Sequence, residues 1–414
     1  MAEGLKRVFL YQCEEIFHDE SLLKMLEVEK FDVGISEALD ICGFGIFEIL
    51  NIPATIAAYS GVHVDSVSHI IGEPIAPTGW STKGDRMNFI DRLENVVNVL
   101  LGSKFFVEMY EGTIKAFRKK FGPQFKDQNE LISKASFVFT NSNPYLDYPR
   151  PMLHKTVPIG GITVSVNPKK NKLSKKWHDV LNKRKTTVLV SFGSIAESIY
   201  MPPEYKKALL QLFESMPETT FIWKYEEEGS DIAKHLENVY PCIWVPQNAL
   251  LADPRLTVFV AHGGLGSITE LAYMGKPAIV IPIFSDQVRN ANMLSKHGGA
   301  IVLTRHDLEN AQTLRTSLYE IFNNASFSEN ARLLSDILQN QPISPKQLLI
   351  RHSEFAAKFG TLPNLDSYGR HLSLVQYYLI DILLACGFVL VLAAITIVMI
   401  LKKCFCKSAK NKTE

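Results

Sequence analysis

The stretch from Trp244 to Gln287 constrains the fold of this chain more than any other part of it. Its sequence is WVPQNALLADPRLTVFVAHGGLGSITELAYMGKPAIVIPIFSDQ, with apolar runs of strand length at residues 257–261 and 277–284. The first run ends in His262-Gly263-Gly264, after which apolar residues recur at helical spacing. A strand, a glycine turn and a helix N-terminus together present free backbone N–H groups and a positive dipole end to an anion. The stretch therefore predicts a diphosphate-binding cradle in an open α/β sheet.

Side chains suited to the rest of a nucleotide sugar flank this turn. Upstream, the ring of Trp244 could stack on a base and the amide of Gln247 could hydrogen-bond it. Asp286 and Gln287 follow the second run, at the sheet edge where ligands bind in open α/β sheets, and an acid–amide pair can bond adjacent sugar hydroxyls. The ordered series W-x-P-Q-N, H-G-G, E and P-x-x-x-x-P-x-F-x-D-Q resembles the signature of the UDP-glycosyltransferases. The closest resemblance is to the membrane-bound UDP-glucuronosyltransferases of animals, from about residue 31 to the C-terminus.

This resemblance implies an α/β chain of the GT-B type, in which two Rossmann-like domains face each other across a cleft. It also implies transfer of a sugar from UDP-glucuronic acid or UDP-glucose to the hydroxyl of a small lipophilic acceptor, with inversion. The UDP-sugar is a co-substrate, so no cofactor is expected. No metal is expected either, because the chain contains no D-x-D motif, the usual carboxylate pair for a sugar-nucleotide metal.

The resemblance also implies roles for single cradle residues, and each role has a structural alternative. Glu270 would bind the ribose hydroxyls, although Ser267-x-x-Glu270 also has capping-box spacing. His262 would donate a hydrogen bond to phosphate, and its alternative is a satisfied core histidine. Gly264 and Ser267 would complete the phosphate site. Relatives often carry Asn-Gly where this chain has Gly266-Ser267, which moves a side-chain donor by one residue.

Three further residues complete the implied UDP-sugar site. Ser194 ends the apolar run 188–194, and its turn would contact the diphosphate through backbone N–H and hydroxyl groups. The alternative is a tight turn in which Ser194 caps the next helix. Asp286 and Gln287 would bind sugar hydroxyls, and their alternative is a loop cap.

Composition excludes other classes of protein. The formal net charge of +1 gives no electrostatic footprint for a nucleic acid. The six cysteines, at positions 13, 42, 242, 386, 404 and 406, lack zinc-site spacing. Because they are scattered, with one in an apolar segment and two in a basic tail, we expect no disulfide framework.

The chain divides by pattern into six parts. Apolar runs, a Lys/Arg-rich stretch and a terminal apolar segment mark the boundaries. The parts are a truncated acceptor-binding domain (1–165), a linker (166–186), a UDP-sugar-binding domain (187–345), a return helix and juxtamembrane segment (346–376), a transmembrane helix (377–401) and a basic cytosolic tail (402–414).

The N-terminus departs from the family pattern. Its first residues, MAEGLKRVFLYQCEEIF, have no apolar signal-peptide core and predict an amphipathic helix, so the family's opening strands and catalytic histidine are expected to be absent. Glu37 matches the family aspartate that orients that histidine, with a helix-start carboxylate as the alternative. His18, His63 and His69 match no motif and are expected at the surface. Two hypotheses follow: a glycosyltransferase, or a non-catalytic UDP-sugar-binding protein that pairs with full-length relatives.

The C-terminus predicts a single membrane span. Residues 382–401 are apolar and uncharged, which suffices to cross a lipid bilayer, and Tyr377 and Tyr378 lie where an aromatic belt would be. Lysines follow at once, which places the tail in the cytosol. The family implies the endoplasmic reticulum, with the globular part lumenal and homo- or hetero-oligomers with relatives possible. Asn324-Ala325-Ser326 is a glycosylation acceptor in that part.

Overall fold

A computed structural model describes residues 2–74 and 84–410, and the side chains of 3–74 and 84–403. The chain forms two compact units, Met1–Leu365 and Asp366–Glu414. The first unit contains two parallel β-sheets with helices packed on them, and the second consists of short turns and one long helix. The last four residues of the predicted basic tail, 411–414, lie outside the described residues.

The first sheet has four strands in the order in which they occur along the chain, and all neighbours are parallel. Its inner strands are short apolar runs, as expected of parallel strands that are covered on both faces. Their carboxyl ends share one edge of the sheet, where loops with polar side chains follow. The strands are β1 (Val33–Glu37), β2 (Ala54–Tyr59), β3 (Phe137–Thr140) and β4 (Thr156–Pro158).

The second sheet has six parallel strands in the order β10-β9-β8-β5-β6-β7. This is the order of a Rossmann sheet, in which the direction of winding reverses between the first and fourth strands. Here the reversal falls between β5 and β8, and it confirms the Rossmann-like prediction for this half. The strands are β5 (Thr186–Ser191), β6 (Thr219–Lys224), β7 (Val239–Cys242), β8 (Val258–Ala261), β9 (Ala278–Val280) and β10 (Ala300–Val302).

Helices connect the strands and cover the sheets. In the first sheet's half they are α1 (Ala2–His18), α2 (Glu20–Glu29), α3 (Cys42–Ile49), α4 (Asp65–Ile71), α5 (Phe89–Phe121) and α6 (Gln128–Ser133). The second half has α7 (Lys175–Leu181), α8 (Pro203–Glu214), α9 (Gln247–Ala252), α10 (Leu265–Met274), α11 (Gln287–Ser295), α12 (Ala311–Asn323) and α13 (Ala325–Gln339). The C-terminal helices are α14 (Pro345–Phe359), α15 (Leu374–Tyr377) and α16 (Ile380–Lys410).

Helix α14 returns the chain to the first sheet. Ser344 caps it in a capping box with Gln347, and its buried Ala356 packs in one apolar cluster with residues of β2 and β3. Both segments that join the two sheets meet at Tyr273 of α10. The Gln341 side-chain amide donates to the Tyr273 hydroxyl at 3.0 Å, and a Cβ on Gly161 would lie 2.4 Å from the Tyr273 ring. Both sheets belong to one compact unit, and both connecting segments contact the same side chain of α10.

One disulfide corrects the expectation from cysteine spacing. Cys13 of α1 is bonded to Cys42 at the start of α3, with their Cα atoms 5.7 Å apart. The two residues are 29 positions apart in sequence, and the fold of α1 against the first sheet's helices brings them together. Spacing alone carried no sign of this packing, so the prediction of no disulfide was wrong for this pair.

The second unit contains one helix of membrane-spanning length. Among the described residues, the segment Ile380–Lys403 of α16 is long and apolar enough to cross a bilayer, and an 18-residue window within it has a mean hydropathy of 2.9. This segment contains the predicted apolar run 382–401. Its length and composition agree with the single span expected from the sequence.

Candidate functional site

Two glycine turns meet where the strand order of the second sheet reverses. Gly193 follows β5 and Gly263 follows β8, and both have a φ of +90° that favours glycine. Between them stands the ring of His262. A Cβ on Gly193 would lie 2.6 Å from its Cε1 atom, and one on Gly264 would lie 2.5 Å from its Nε2 atom. Glycine is therefore required on both sides of the imidazole, and the second turn leads into α10, whose N-terminus is of the kind that binds anions.

A cavity of about 540 Å³ opens beside these turns. Five of the residues expected to bind a UDP-sugar line it: Ser194, Trp244, Gln247, Ser267 and Glu270. Trp244 is 70% exposed, so one face of its indole is available for stacking. The volume lies within the range of small-ligand pockets. His262, Gly264, Asp286, Gln287 and Glu37 are not among the lining residues.

Gln247 and Glu270 form the polar pair of this cavity. The Gln247 Nε2 atom donates to Glu270 Oε2 at 2.5 Å and to Ser267 Oγ at 3.2 Å. The capping-box alternative does not hold, because α10 begins at Leu265 with Gly264 as its N-cap and no side-chain cap. Burial raises the pKa of Glu270, and the bond from Gln247 opposes that rise. Holding the charged carboxylate in the cavity wall therefore costs desolvation free energy, which is typical of groups at functional sites.

His262 is half-buried and neutral. Burial lowers its pKa from 6.5 to about 4, although nearby Asp286 acts in the opposite direction. Its Nδ1 atom is buried without a hydrogen-bond partner, so it is not a satisfied core histidine. Above about pH 4 the ring can donate one hydrogen bond but carries no charge to a phosphate.

Asp286 and Gln287 begin α11 on another side of the cradle. The Gln287 Oε1 atom accepts from the Ile283 and Phe284 backbone N–H groups at 2.8 and 3.0 Å, which is the loop cap given as the alternative. Its amide nitrogen is not used in these bonds. Asp286 is half-buried and accepts from the Asn290 side-chain amide at 2.7 Å. Their role toward sugar hydroxyls stays a prediction.

Ser194 is exposed in the turn after β5 and caps no helix in the described part of the chain. The next helical turn, Ser198–Tyr200, has Glu197 as its N-cap without a side-chain cap bond. The alternative role of Ser194, as the cap of the next helix, therefore does not hold. The hydroxyl lines the cavity at the same turn whose glycine contacts His262.

Glu37 ends β1 at the ligand edge of the first sheet. Both of its carboxylate oxygens lie 3.2 Å from the Ser60 backbone N–H, and burial raises its pKa. Asp40 accepts from the Cys42 N–H at 2.6 Å and so takes the helix-start role that was the alternative for Glu37. His18 and His69 are exposed as expected. His63 is not, because its side chain is buried and hydrogen-bonded to Asp65.

Sequence reasoning missed several residues of the cavity. Lys224, the last residue of β6, is buried. Its Nζ atom donates to the Gly193 carbonyl at 2.9 Å and to Glu226 Oε1 at 2.6 Å. Its Nζ atom lies 5.5 Å from the centroid of the Trp244 ring. The sequence feature that could have identified Lys224 is a single lysine at the carboxyl end of an apolar strand. Lys170 and Asn171 of the predicted linker (166–186), and Thr163 and Ser165 just before it, also line the cavity.

Asn248 ties that segment to the cavity. Its Nδ2 atom donates to the Ser165 carbonyl at 2.9 Å and to Asn171 Oδ1 at 2.8 Å. Its Oδ1 atom is buried without a partner. No group of three or more His, Cys, Asp or Glu side chains suited to a metal occurs among the described residues.

Comparison with known proteins agrees with the family resemblance found in the sequence. The family model described as UDP-glucoronosyl and UDP-glucosyl transferase matches residues 2–413. Human UDP-glucuronosyltransferase 1A4 is 27% identical over 407 residues, which cover 95% of this chain and 72% of the relative. Mouse UDP-glucuronosyltransferase 1A6 is 28% identical over 415 residues, covering 96% and 73%.

Solved structures share the fold. Spinosyn forosaminyltransferase SpnP superposes with a TM-score of 0.57 at 17% identity, over 81% of this chain and 78% of its own. Spinosyn rhamnosyltransferase SpnG gives 0.53 at 16% identity, over 85% and 80%. These neighbours confirm the GT-B architecture expected from the sequence.

Proposed function

Because the chain belongs to the UDP-glucuronosyl and UDP-glucosyl transferase family and is by that family a hexosyltransferase, we propose that it transfers glucuronic acid or glucose from a UDP-sugar to a small lipophilic alcohol or phenol. One observation carries the proposal. The polar pair Gln247–Glu270 and the Gly193-Ser194 turn after β5 line one cavity, at the strand-order reversal where such sheets bind nucleotides.

The donor would lie across this cavity. The base would stack on Trp244 and the ribose hydroxyls would bond Glu270. The diphosphate would take backbone N–H groups of the turns at Gly193 and Gly264, with Lys224 as the nearest buried cation. Asp286 and Gln287 would hold the sugar. In this scheme the diphosphate is held by backbone N–H groups at the turns and the start of α10, so the scheme includes no metal or cofactor.

The acceptor would approach from the first sheet. Its hydroxyl oxygen would attack the anomeric carbon on the face opposite the UDP leaving group, which inverts the configuration. Glu37 ends β1, accepts from the Ser60 backbone N–H, and would take the place of the family carboxylate in this half.

For location, we propose a single-pass protein of the endoplasmic reticulum with the first unit in the lumen. The apolar segment Ile380–Lys403 and the lysines that follow support a short cytosolic tail. Lipid would then surround α16, and association with related chains would occur in the same membrane.

The test is transfer by the membrane-bound chain. Purified protein is incubated with UDP-glucuronic acid or UDP-glucose and a panel of phenols and alcohols, and glycosides are measured by mass spectrometry with their anomeric configuration by NMR. Product of inverted configuration is expected with at least one pair. UDP-sugar binding without any transfer would favour the second hypothesis, a non-catalytic partner of full-length relatives. Absence of UDP-sugar binding would contradict both.

A further inference from the structure

Helix α11 carries two neighbouring buried side chains that contact different halves of the first unit. Asn290 bonds the glycine turn after β8, and Arg289 bonds the loop after β3. The helix begins at Gln287 and has Asp286 as its N-cap, and these are the two residues predicted to hold the donor sugar. Because a helix of this length moves as one body, a shift of α11 moves the predicted sugar-binding residues with it.

Asn290 joins α11 to the donor cradle. It is fully buried, and its Nδ2 atom donates to the Gly263 carbonyl at 3.2 Å and to Asp286 Oδ2 at 2.7 Å. A carbonyl and an ionised carboxylate only accept hydrogen bonds, so the amide nitrogen has to face both of them. Packing is close as well, since a Cβ on Gly263 would lie 2.9 Å from the Gln287 carbonyl oxygen. The turn and the start of α11 therefore keep one relative position.

Arg289 joins the same helix to the half that contains the first sheet. Its Nη2 atom donates to Asp147 Oδ1 at 2.6 Å, and the two side chains are only 2% and 6% exposed. The Arg289 Cζ atom also lies 5.2 Å from the centroid of the Tyr148 ring. Lys296, just past the end of α11, lies 5.1 Å from the same centroid. One aromatic ring of the loop is thus contacted by two cations of the α11 segment.

Apolar contacts bury the loop against α11. Leu146 and Tyr148 belong to the apolar cluster that contains Met293 and Leu294 of α11. Past the helix, the His297 Nε2 atom donates to the Leu146 carbonyl at 2.9 Å. The loop follows a strand of the first sheet but packs in the core of the other half. Since packed side chains have little room to move, a shift of the loop requires a shift of α11.

Stability alone does not account for the charged pair at this contact. Desolvation of two buried charges can exceed their attraction, and apolar residues of similar volume often give equal or greater stability. Arg289 Nε and Asn290 Oδ1 are also buried with no hydrogen-bond partner in the described part of the chain, which costs further free energy. What a guanidinium–carboxylate pair provides is directional geometry.

We propose that Arg289 is a positioning residue of the donor-sugar site, which it aligns through α11 by binding Asp147. The inference rests on the proposed glycosyl transfer. Asn290 fixes α11 on the cradle, and Arg289 fixes it on the half that receives the acceptor. Asp286 and Gln287 then hold the sugar at a set position relative to the acceptor hydroxyl. Transfer depends on that position, because reacting atoms have to be held about 3–3.5 Å apart.

The test replaces both charges at once in the full chain, purified in lipid nanodiscs. The double variant Asp147→Asn with Arg289→Gln leaves no unpaired charge buried, so it avoids the main cost of breaking the pair. Its kcat with the UDP-sugar that the wild type uses should fall by roughly 10- to 100-fold, since a misplacement of about 1 Å can cost about 10²-fold. UDP has no sugar, so its Kd by titration calorimetry should match the wild type. The unfolding temperature is measured alongside.

The control replaces a different ion pair. Glu48 and Lys126 join α3 to the loop before α6, and Glu48→Gln with Lys126→Gln should match the wild type in kcat and in the Kd for UDP. If the Asp147 and Arg289 double variant does not accumulate, Arg289→Lys carries the same comparison. It keeps a positive charge beside Asp147 but loses the planar fork that sets the geometry, so kcat should again fall at unchanged Kd.

A positioning role lowers kcat while UDP binding and folding persist. Wild-type kcat in the double variant would overturn the assignment. So would equal losses of kcat and UDP affinity, or a fall of kcat that follows the folded fraction, because these show a role in the fold alone. Absence of transfer by the wild-type chain would contradict the proposed function and this inference with it, whereas an unchanged kcat in the variant contradicts only the role of Arg289.

Discussion

Replacing Glu270 with alanine should weaken UDP binding while leaving the chain folded. The carboxylate is held in the cavity wall by Gln247 Nε2 at 2.5 Å, and burial raises its pKa. A carboxylate with a raised pKa opposes folding at neutral pH, since desolvation disfavours its charged form. Removing it therefore relieves that cost and offsets the loss of one hydrogen bond. We expect the free energy of unfolding to change little.

Binding should respond in the opposite direction. A hydrogen bond to a charged group contributes roughly 1.5–3 kcal/mol, and a loss of 1.4 kcal/mol is about tenfold in Kd. Loss of the ribose contacts should thus raise the Kd for UDP by about 10- to 100-fold. Titration calorimetry with UDP measures the change, and thermal unfolding checks the fold. Glu204→Ala, in the exposed first turn of α8, is the matched control and should leave both unchanged.

Two results would refute this reasoning. An unchanged Kd in Glu270→Ala would remove Glu270 from the ligand site and leave it a packing residue. A weaker Kd accompanied by a proportional fall in unfolding temperature would show that the carboxylate acts through the fold. Only a loss of affinity at constant stability agrees with a ribose ligand.

Three further predictions concern the glycine turns, the buried imidazole and the topology. Gly193→Ala should lower the free energy of unfolding by roughly 1–3 kcal/mol, because φ is +90° and the new Cβ would lie 2.6 Å from His262. Gly266→Ala lies in a helix with no atom within 4 Å of the new Cβ, so it should raise the free energy of unfolding by roughly 0.5–1 kcal/mol. Urea unfolding of both variants measures the two changes. Because burial lowers the pKa of His262 from 6.5 to about 4, the neutral ring contributes fully to stability above pH 6.5, and this contribution declines toward pH 4. Between pH 6.5 and 4 the unfolding temperature of the wild type should therefore fall more steeply than that of His262→Asn. Parallel curves for the two proteins would contradict this prediction. Asn324 is exposed and caps α13 through its Oδ1 atom, which leaves the amide nitrogen for a glycan. We expect a mass shift that endoglycosidase removes and that Asn324→Gln abolishes. Absence of this shift from the membrane-inserted chain would contradict a lumenal first unit.

Much of the donor half could be predicted from the sequence because its signals are local. The apolar run before His262 and the helical spacing after it place a strand, a turn and α10 where the structure has them. The amphipathic helix predicted at the N-terminus is α1. In each case a single periodicity extends over the whole element.

Features that depend on distant contacts were out of reach. The run 277–284 predicted one strand, but β9 ends at Val280, since the chain turns away where Gln287 binds the backbone of Ile283 and Phe284. The buried state of His63 depends on Asp65 and on arginines far along the chain. The place of Lys224 in the cavity likewise depends on the approach of the turn at Gly193.

The central claim is that UDP binds at the crevice between β5 and β8, and a structure of the chain with bound UDP tests it most directly. The account predicts uracil against Trp244, ribose hydroxyls within hydrogen-bond distance of Glu270, and the diphosphate between the turns at Gly193 and Gly264. UDP bound at any other surface, or an empty crevice at saturating UDP, would contradict it.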